Sequence, residues 1–127
     1  MNDRLEWLVN QIDQPLSPAV RHAFLEVDRG WFVPYYYRRE GKEWVREETH
    51  EHAYKDIPLT TKIERGRPGS SSSMPSVMAA MLEALEIQSG QNILEIGAGT
   101  GYNAAIMSQI VGTSGHIVSV ERDEDIG

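Results

Sequence analysis

Cysteine is absent from this chain of 127 residues. That excludes a disulfide framework, a thiolate metal site and a cysteine nucleophile. Positive charge is scarce as well: 12 Lys and Arg stand against 19 Asp and Glu, a formal charge of −7. Phosphate backbones are gripped by clustered Lys and Arg, so the balance argues against a nucleic-acid partner. No apolar run approaches the roughly 18 residues of a membrane span. The start, Met1 to Glu6, carries acids where a secretory leader needs a basic region and an apolar run. A cytoplasmic chain with no membrane partner and one hydrophobic core is therefore expected.

What is present changes character along the chain. Leu5, Leu8, Val9 and Ile12 form one helical stripe, stopped at Gln14-Pro15. Ser17-Pro18 reads as an N-cap with proline at the first helical position, and Val20, Phe24 and Val27 carry the apolar face of a second helix that Gly30 ends. The aromatic run Trp31 to Tyr37 contains Pro34 and is not helical. Residues 38–52 are charged without a clean period and read as an exposed loop. Residues 53–61 read as an edge strand, and 64–73 as a loop of Gly, Arg, Pro and four consecutive serines. From Pro75 the pattern sharpens. A helix to Gln88 is followed by a strand at 92–96, a glycine loop at 97–101, a helix at 102–111, a turn and a strand at 116–121. That is a βαβ unit with parallel strands. The expected division is a helical and extended cap over 1–74 and the start of a cofactor-binding unit over 75–127.

The glycine loop carries the chemistry. Leu94-Glu95-Ile96-Gly97-Ala98-Gly99-Thr100-Gly101 leaves a strand and enters a helix, so a ligand can approach backbone N–H groups that no Cβ shields. Glu121 follows 20 residues beyond Gly101 at the tip of the next strand, where a carboxylate can accept from both hydroxyls of a ribose. A nicotinamide dinucleotide prefers G-x-G-x-x-G, whereas this chain has G-x-G-x-G with an acid two residues before it. Glu95 sits poorly beside a pyrophosphate and suits an ammonium group. S-adenosylmethionine has both an ammonium and a ribose, so Glu95, Gly97, Gly99, Gly101 and Glu121 are its expected binding residues. His50 and His52 beside Glu48 and Glu51 have the strand spacing of metal ligands but no further ligands, and no metal is expected. Met74, Met78, Met81 and Met107 stand at core-type positions.

With these residues in place, a resemblance emerges. Residues 90–105 resemble the first motif of protein-L-isoaspartate O-methyltransferases. Tyr54-Lys55-Asp56-Ile57-Pro58-Leu59 resembles that family's Y-x-D-x-P-L segment, and Ser71-Ser72-Ser73-Met74-Pro75 its T-I-S-x-P entry into the helix before the cofactor strand. Gly115 to Arg122 resembles its second motif, ending in the ribose acid. The resemblance implies a Rossmann-like α/β methyltransferase fold, truncated here, with S-adenosylmethionine as cofactor and an isoaspartyl peptide or protein as substrate. It also makes Ser73 the active-site serine. Ser71-Ser72 replaces the family's Thr-Ile, and the serine run is closer to relatives that methylate ribosomally made peptides during maturation; both branches methylate carboxylates. A carboxylate of pKa about 4 is already ionised at neutral pH, so no general base is needed. The plainer role for Ser73 is to cap the helix that Pro75 opens. The chain stops six residues after Glu121. Only two strands of the doubly wound sheet are then expected, which fits a fragment or an inactive module that needs a partner.

Overall fold

The computed structural model describes residues 3–121. Arg122, which closes the second resembling segment, lies outside the described residues. Helices α1 (Asp3–Gln11) and α2 (Pro18–Glu26) lead into a short α3 (Arg29–Phe32). Strands β1 (Tyr35–Glu40) and β2 (Glu43–Glu48) follow, then a 3₁₀ turn (His50–Tyr54) and strands β3 (Leu59–Glu64) and β4 (Arg67–Ser72). Helix α4 (Pro75–Leu85) connects to β5 (Asn92–Ile96), α5 (Tyr102–Val111) and β6 (His116–Val120). No helix among the described residues is long and apolar enough to cross a membrane.

The first four strands form an antiparallel sheet in the order β2-β1-β3-β4. Two segments expected to be loops are thus strands. Residues 38–48 pair in a hairpin with Arg38 opposite Val45 and Arg39 opposite Trp44. Its cross-strand contacts are charged: Arg38 Nε donates to Glu47 Oε1 at 2.6 Å, and the Arg46 guanidinium lies 4.0 Å from the Tyr35 ring centroid. Charge on both strands removed the apolar alternation that marks a half-buried strand. The serine-rich stretch forms β4, paired with β3 across Arg65-Gly66, both at positive φ as a primed hairpin turn requires. Pro68 is tolerated because β4 is the edge strand; β3, expected at the edge, lies between β1 and β4.

Strands β5 and β6 form the expected parallel pair, from Asn92 opposite His116 to Ile96 opposite Val120. Ile93 and Ile117 pack on a cluster built from α1, α2, α4 and α5, in which Ala23, Phe24, Ala79 and Ile106 are fully buried. Side chains alternate across a strand. The opposite face of the pair therefore presents Leu94, Ile96, Val118 and Val120, each at least half exposed.

Four local expectations are corrected. Gly30 does not end α2, which stops at Glu26; it lies inside α3, together with Trp31 and Phe32 of the run expected not to be helical. Ser17 occupies the N-cap position of α2, yet its side chain caps nothing. Its hydroxyl and its backbone N–H both donate to Glu83 Oε1, at 2.8 and 3.0 Å, and so join α2 to α4. Met78 and Met107 are buried, whereas Met81 is half exposed.

Candidate active site

Two chain segments far apart in sequence meet at one cleft of about 290 Å³. One wall is Ser71, Ser72 and Ser73, where β4 turns into α4; the other is Glu95 to Thr100, where β5 turns into α5. Met78 and Met81 of α4 and Tyr102 and Asn103 of α5 complete the lining. Ser73, Glu95, Gly97 and Gly99 are thereby brought together. Gly101 stands behind them as the N-cap of α5, and Glu121 reaches the loop from the tip of β6.

Local chemistry fixes each of these positions. Gly97, Gly99 and Gly101 have φ of +83°, +57° and +90°, a region costly for residues with a Cβ. A Cβ built on Gly97 or Gly99 would meet nothing within 4 Å, so these backbones border open space. Gly97 N–H donates to Val120 O at 2.7 Å, which extends the parallel ladder into the loop. Gly99 N–H donates to Glu121 Oε2 at 2.8 Å. Strand alternation puts Glu95 on the α5 side of β5. Its carboxylate accepts from Asn103 Nδ2 at 2.9 Å and from Ser119 Oγ at 2.8 Å, so it is held by neutral donors. Asn103 Oδ1 and the Tyr102 hydroxyl are buried without a hydrogen-bond partner among the described residues. Burial pushes the Tyr102 phenol well above its ordinary value, so it is a neutral group.

The serine wall is anchored by residues whose roles the sequence pattern did not reveal. Met74, not Ser73, is the N-cap residue of α4, and no side chain at that position caps the helix. The cap comes from Asp56: Oδ1 accepts from Ser76 N–H at 2.8 Å and Oδ2 from the Ser76 hydroxyl. Asp56 was legible only as part of the Y-x-D-x-P-L segment. Arg29 is fully buried beneath Ser72 and Ser73, which nothing in its neighbours Asp28 and Gly30 announces. His50 and His52 stay apart from the cleft, and among the described residues no cluster of His, Asp and Glu could hold a metal.

Strand, glycine turn, helix and parallel strand tipped with an acid define a Rossmann-like α/β protein. A family model described as protein-L-isoaspartate(D-aspartate) O-methyltransferase matches residues 3–127. The chain belongs to that family. A protein-L-isoaspartate O-methyltransferase of Methanosarcina mazei is 45% identical over 111 residues, 87% of this chain and 39% of the relative. One of Thermotoga maritima is 36% identical over 126 residues, 99% of this chain and 35% of the relative. A solved protein-L-isoaspartate O-methyltransferase superposes with a TM-score of 0.73 at 36% identity, over 99% of this chain and 35% of its own. A Plasmodium falciparum structure, solved in complex with S-adenosyl-L-homocysteine, shares the fold with a TM-score of 0.66 at 23% identity, over 99% of this chain and 52% of its own. The chain spans less than two-fifths of the length of these two curated relatives.

Proposed function

We propose that the chain supplies the cofactor loop and the serine wall of an S-adenosylmethionine-dependent carboxyl methyltransferase that acts on isoaspartyl residues of damaged proteins and peptides. The observation that carries this reading is the single cleft in which Ser71–Ser73 face Glu95–Gly99. In this reading residues 1–74 are the substrate-side cap and 75–127 open the cofactor-binding unit. The residues present suit the cofactor. Glu95, held on the cleft wall by Asn103 and Ser119, offers a fixed negative charge to an ammonium group. The open backbone at Gly97 and Gly99 admits a close approach, and the unpartnered Asn103 Oδ1 is an acceptor in need of a donor. In this reading Glu121, which accepts from Gly99 N–H, also accepts from the ribose hydroxyls.

When bound, S-adenosylmethionine supplies a methyl group already attached to a sulfonium leaving group. The protein's task is alignment. Ser73 donates a hydrogen bond that orients the substrate carboxylate, which needs no base to be ionised. Met78 and Met81 give the cleft an apolar side that limits water. Correct positioning of two reactants is worth roughly 7–11 kcal/mol, enough for a reaction whose groups are already activated.

Calorimetric titration of the full chain with S-adenosylmethionine tests the assignment. Loss of a hydrogen bond to a charged group costs about 1.5–3 kcal/mol, so Glu121→Ala should weaken binding roughly ten- to a hundredfold. Unchanged affinity in that variant would remove Glu121 from the site. Tight binding of NADH, with none of S-adenosylmethionine, would replace the reading by a nicotinamide-dependent one.

A further inference from the structure

We propose that Arg29 is a positioning residue that sets where the Ser73 hydroxyl stands in the cleft. Its guanidinium is fully buried and donates to two chain segments at once. Nη1 donates to Lys55 O at 3.1 Å and Nη2 to Ile57 O at 3.0 Å. On the other side Nη2 donates to Ser72 Oγ and Ser73 O, each at 3.2 Å, and Nε donates to Ser72 Oγ at 3.4 Å. Among the described residues no carboxylate accepts from it. The adjacent Asp28 uses Oδ1 for Gly30 N–H and the Tyr54 hydroxyl, both at 2.8 Å, and Asp56 acts on the guanidinium only through its longer-range charge.

Burying a cation without a hydrogen-bonded acid is expensive, and an apolar side chain of similar volume is usually the more stable solution. Burial lowers the Arg29 guanidinium to about 10, which leaves it charged at neutral pH. An apolar residue could not bind carbonyls. The planar fork can, and its partners lie on the Lys55–Ile57 connection and at the exit of β4. Between Lys55 and Ile57, Asp56 caps α4 through Ser76. The Ser73–Ser76 connection is therefore pinned at both ends, by Arg29 at its start and by Asp56 at its finish.

For turnover, this role rests on the methyltransferase reading; for structure, it does not. The test is a cycle of Arg29→Lys, Ser73→Ala and the double variant in the full chain, with isoaspartyl peptide and S-adenosylmethionine. Lysine keeps the charge and loses the fork. Arg29→Lys should lower kcat about ten- to a hundredfold, while cofactor affinity stays within about twofold. If Arg29 acts through Ser73, it should cost less than about twofold more in the Ser73→Ala background. Multiplying losses would overturn the proposal. Amide exchange supplies the readout independent of turnover: Ser73 and Met74 should exchange faster in Arg29→Lys, and unchanged exchange would overturn the proposal as well. Should Arg29→Lys fail to fold, Ser72→Ala removes only the hydroxyl that accepts from Nε and Nη2, and the same non-additivity is expected with a smaller loss. S-adenosylmethionine binding with no turnover in the unaltered chain would count against a self-sufficient enzyme, absence of both would count against the methyltransferase reading, and the exchange result would still decide Arg29.

Discussion

In the β1–β2 hairpin the side chains that touch across strands include Arg38 with Glu47, Arg46 with Tyr35 and Arg39 with Trp44. In the β5–β6 pair the neighbours across strands are Leu94 with Val118 and Ile96 with Val120, and these stand exposed, while Ile93 and Ile117 face the core. The antiparallel sheet is thus stitched by polar contacts that tolerate water. The parallel pair relies on burial and presents to solvent a face of the kind that parallel sheets normally cover on both sides. The cleft forms where these two regions meet. Its serine wall comes from an edge strand of the first and its glycine wall from the second, so each region contributes what the other lacks.

The largest expected effect tests the dependence of the parallel pair on burial. Ile106 of α5 is fully buried in the cluster that supports Ile93 and Ile117, and Ile106→Ala should cost about 2–5 kcal/mol. Urea midpoints measure it. Native-state amide exchange in the same variant should show β5–β6 opening ahead of β1–β2; simultaneous opening would mean the two regions respond as one.

A smaller effect concerns the meeting point. Ser73 lines the cleft, whereas Ser70 of β4, opposite Lys62 of β3, does not. Ser73→Ala should cut methylation of an isoaspartyl peptide roughly ten- to a hundredfold, the worth of one hydrogen bond to a charged group at about 1.5–3 kcal/mol, with cofactor affinity nearly intact. Ser70→Ala should leave turnover alone. Equal turnover in the two variants would take the catalytic role away from Ser73.

The parallel pair and its helices were legible because periodicity and punctuation agree there. Apolar strands alternate with apolar-faced helices, and glycines mark the turns. The antiparallel sheet was largely illegible, since Arg38, Arg39 and Glu43 to Glu48 pair through charge and hydrogen bonds rather than through a buried face. Serine and glycine in β4 have little strand preference of their own; the neighbouring β3 imposes it. Within the site, Glu95, the glycines and Glu121 could be picked out because their spacing is tied to a local turn. Arg29 and Asp56 could not, because their partners lie 20 to 44 residues away in sequence.

The smallest effect sharpens the polar side of the comparison. A hydrogen bond from Arg38 holds the Glu47 carboxyl below its ordinary value of 4.5. A depressed acid stabilises the fold above its unfolded value and loses that contribution as the pH falls through the folded one. Amide exchange in β1–β2 should therefore accelerate modestly below about pH 4.5 beyond the intrinsic pH dependence, and Glu47→Gln should flatten that step. An equal acid step in the variant would assign it to other carboxylates.

The Asp56–Ser76 contact has a consequence for the order in which the molecule assembles. A helix of 11 residues is marginal by itself in water, and the first turn of α4 receives its cap from a carboxylate 20 residues earlier, with Asp13 N–H adding a bond to Ser76 Oγ at 3.0 Å. Its N-terminal turn is therefore secured only after the intervening β3–β4 hairpin has closed, because closure brings Asp56 to Ser76. The serine wall and the helix behind it are therefore held by one shared tertiary contact, and loosening it would release both together.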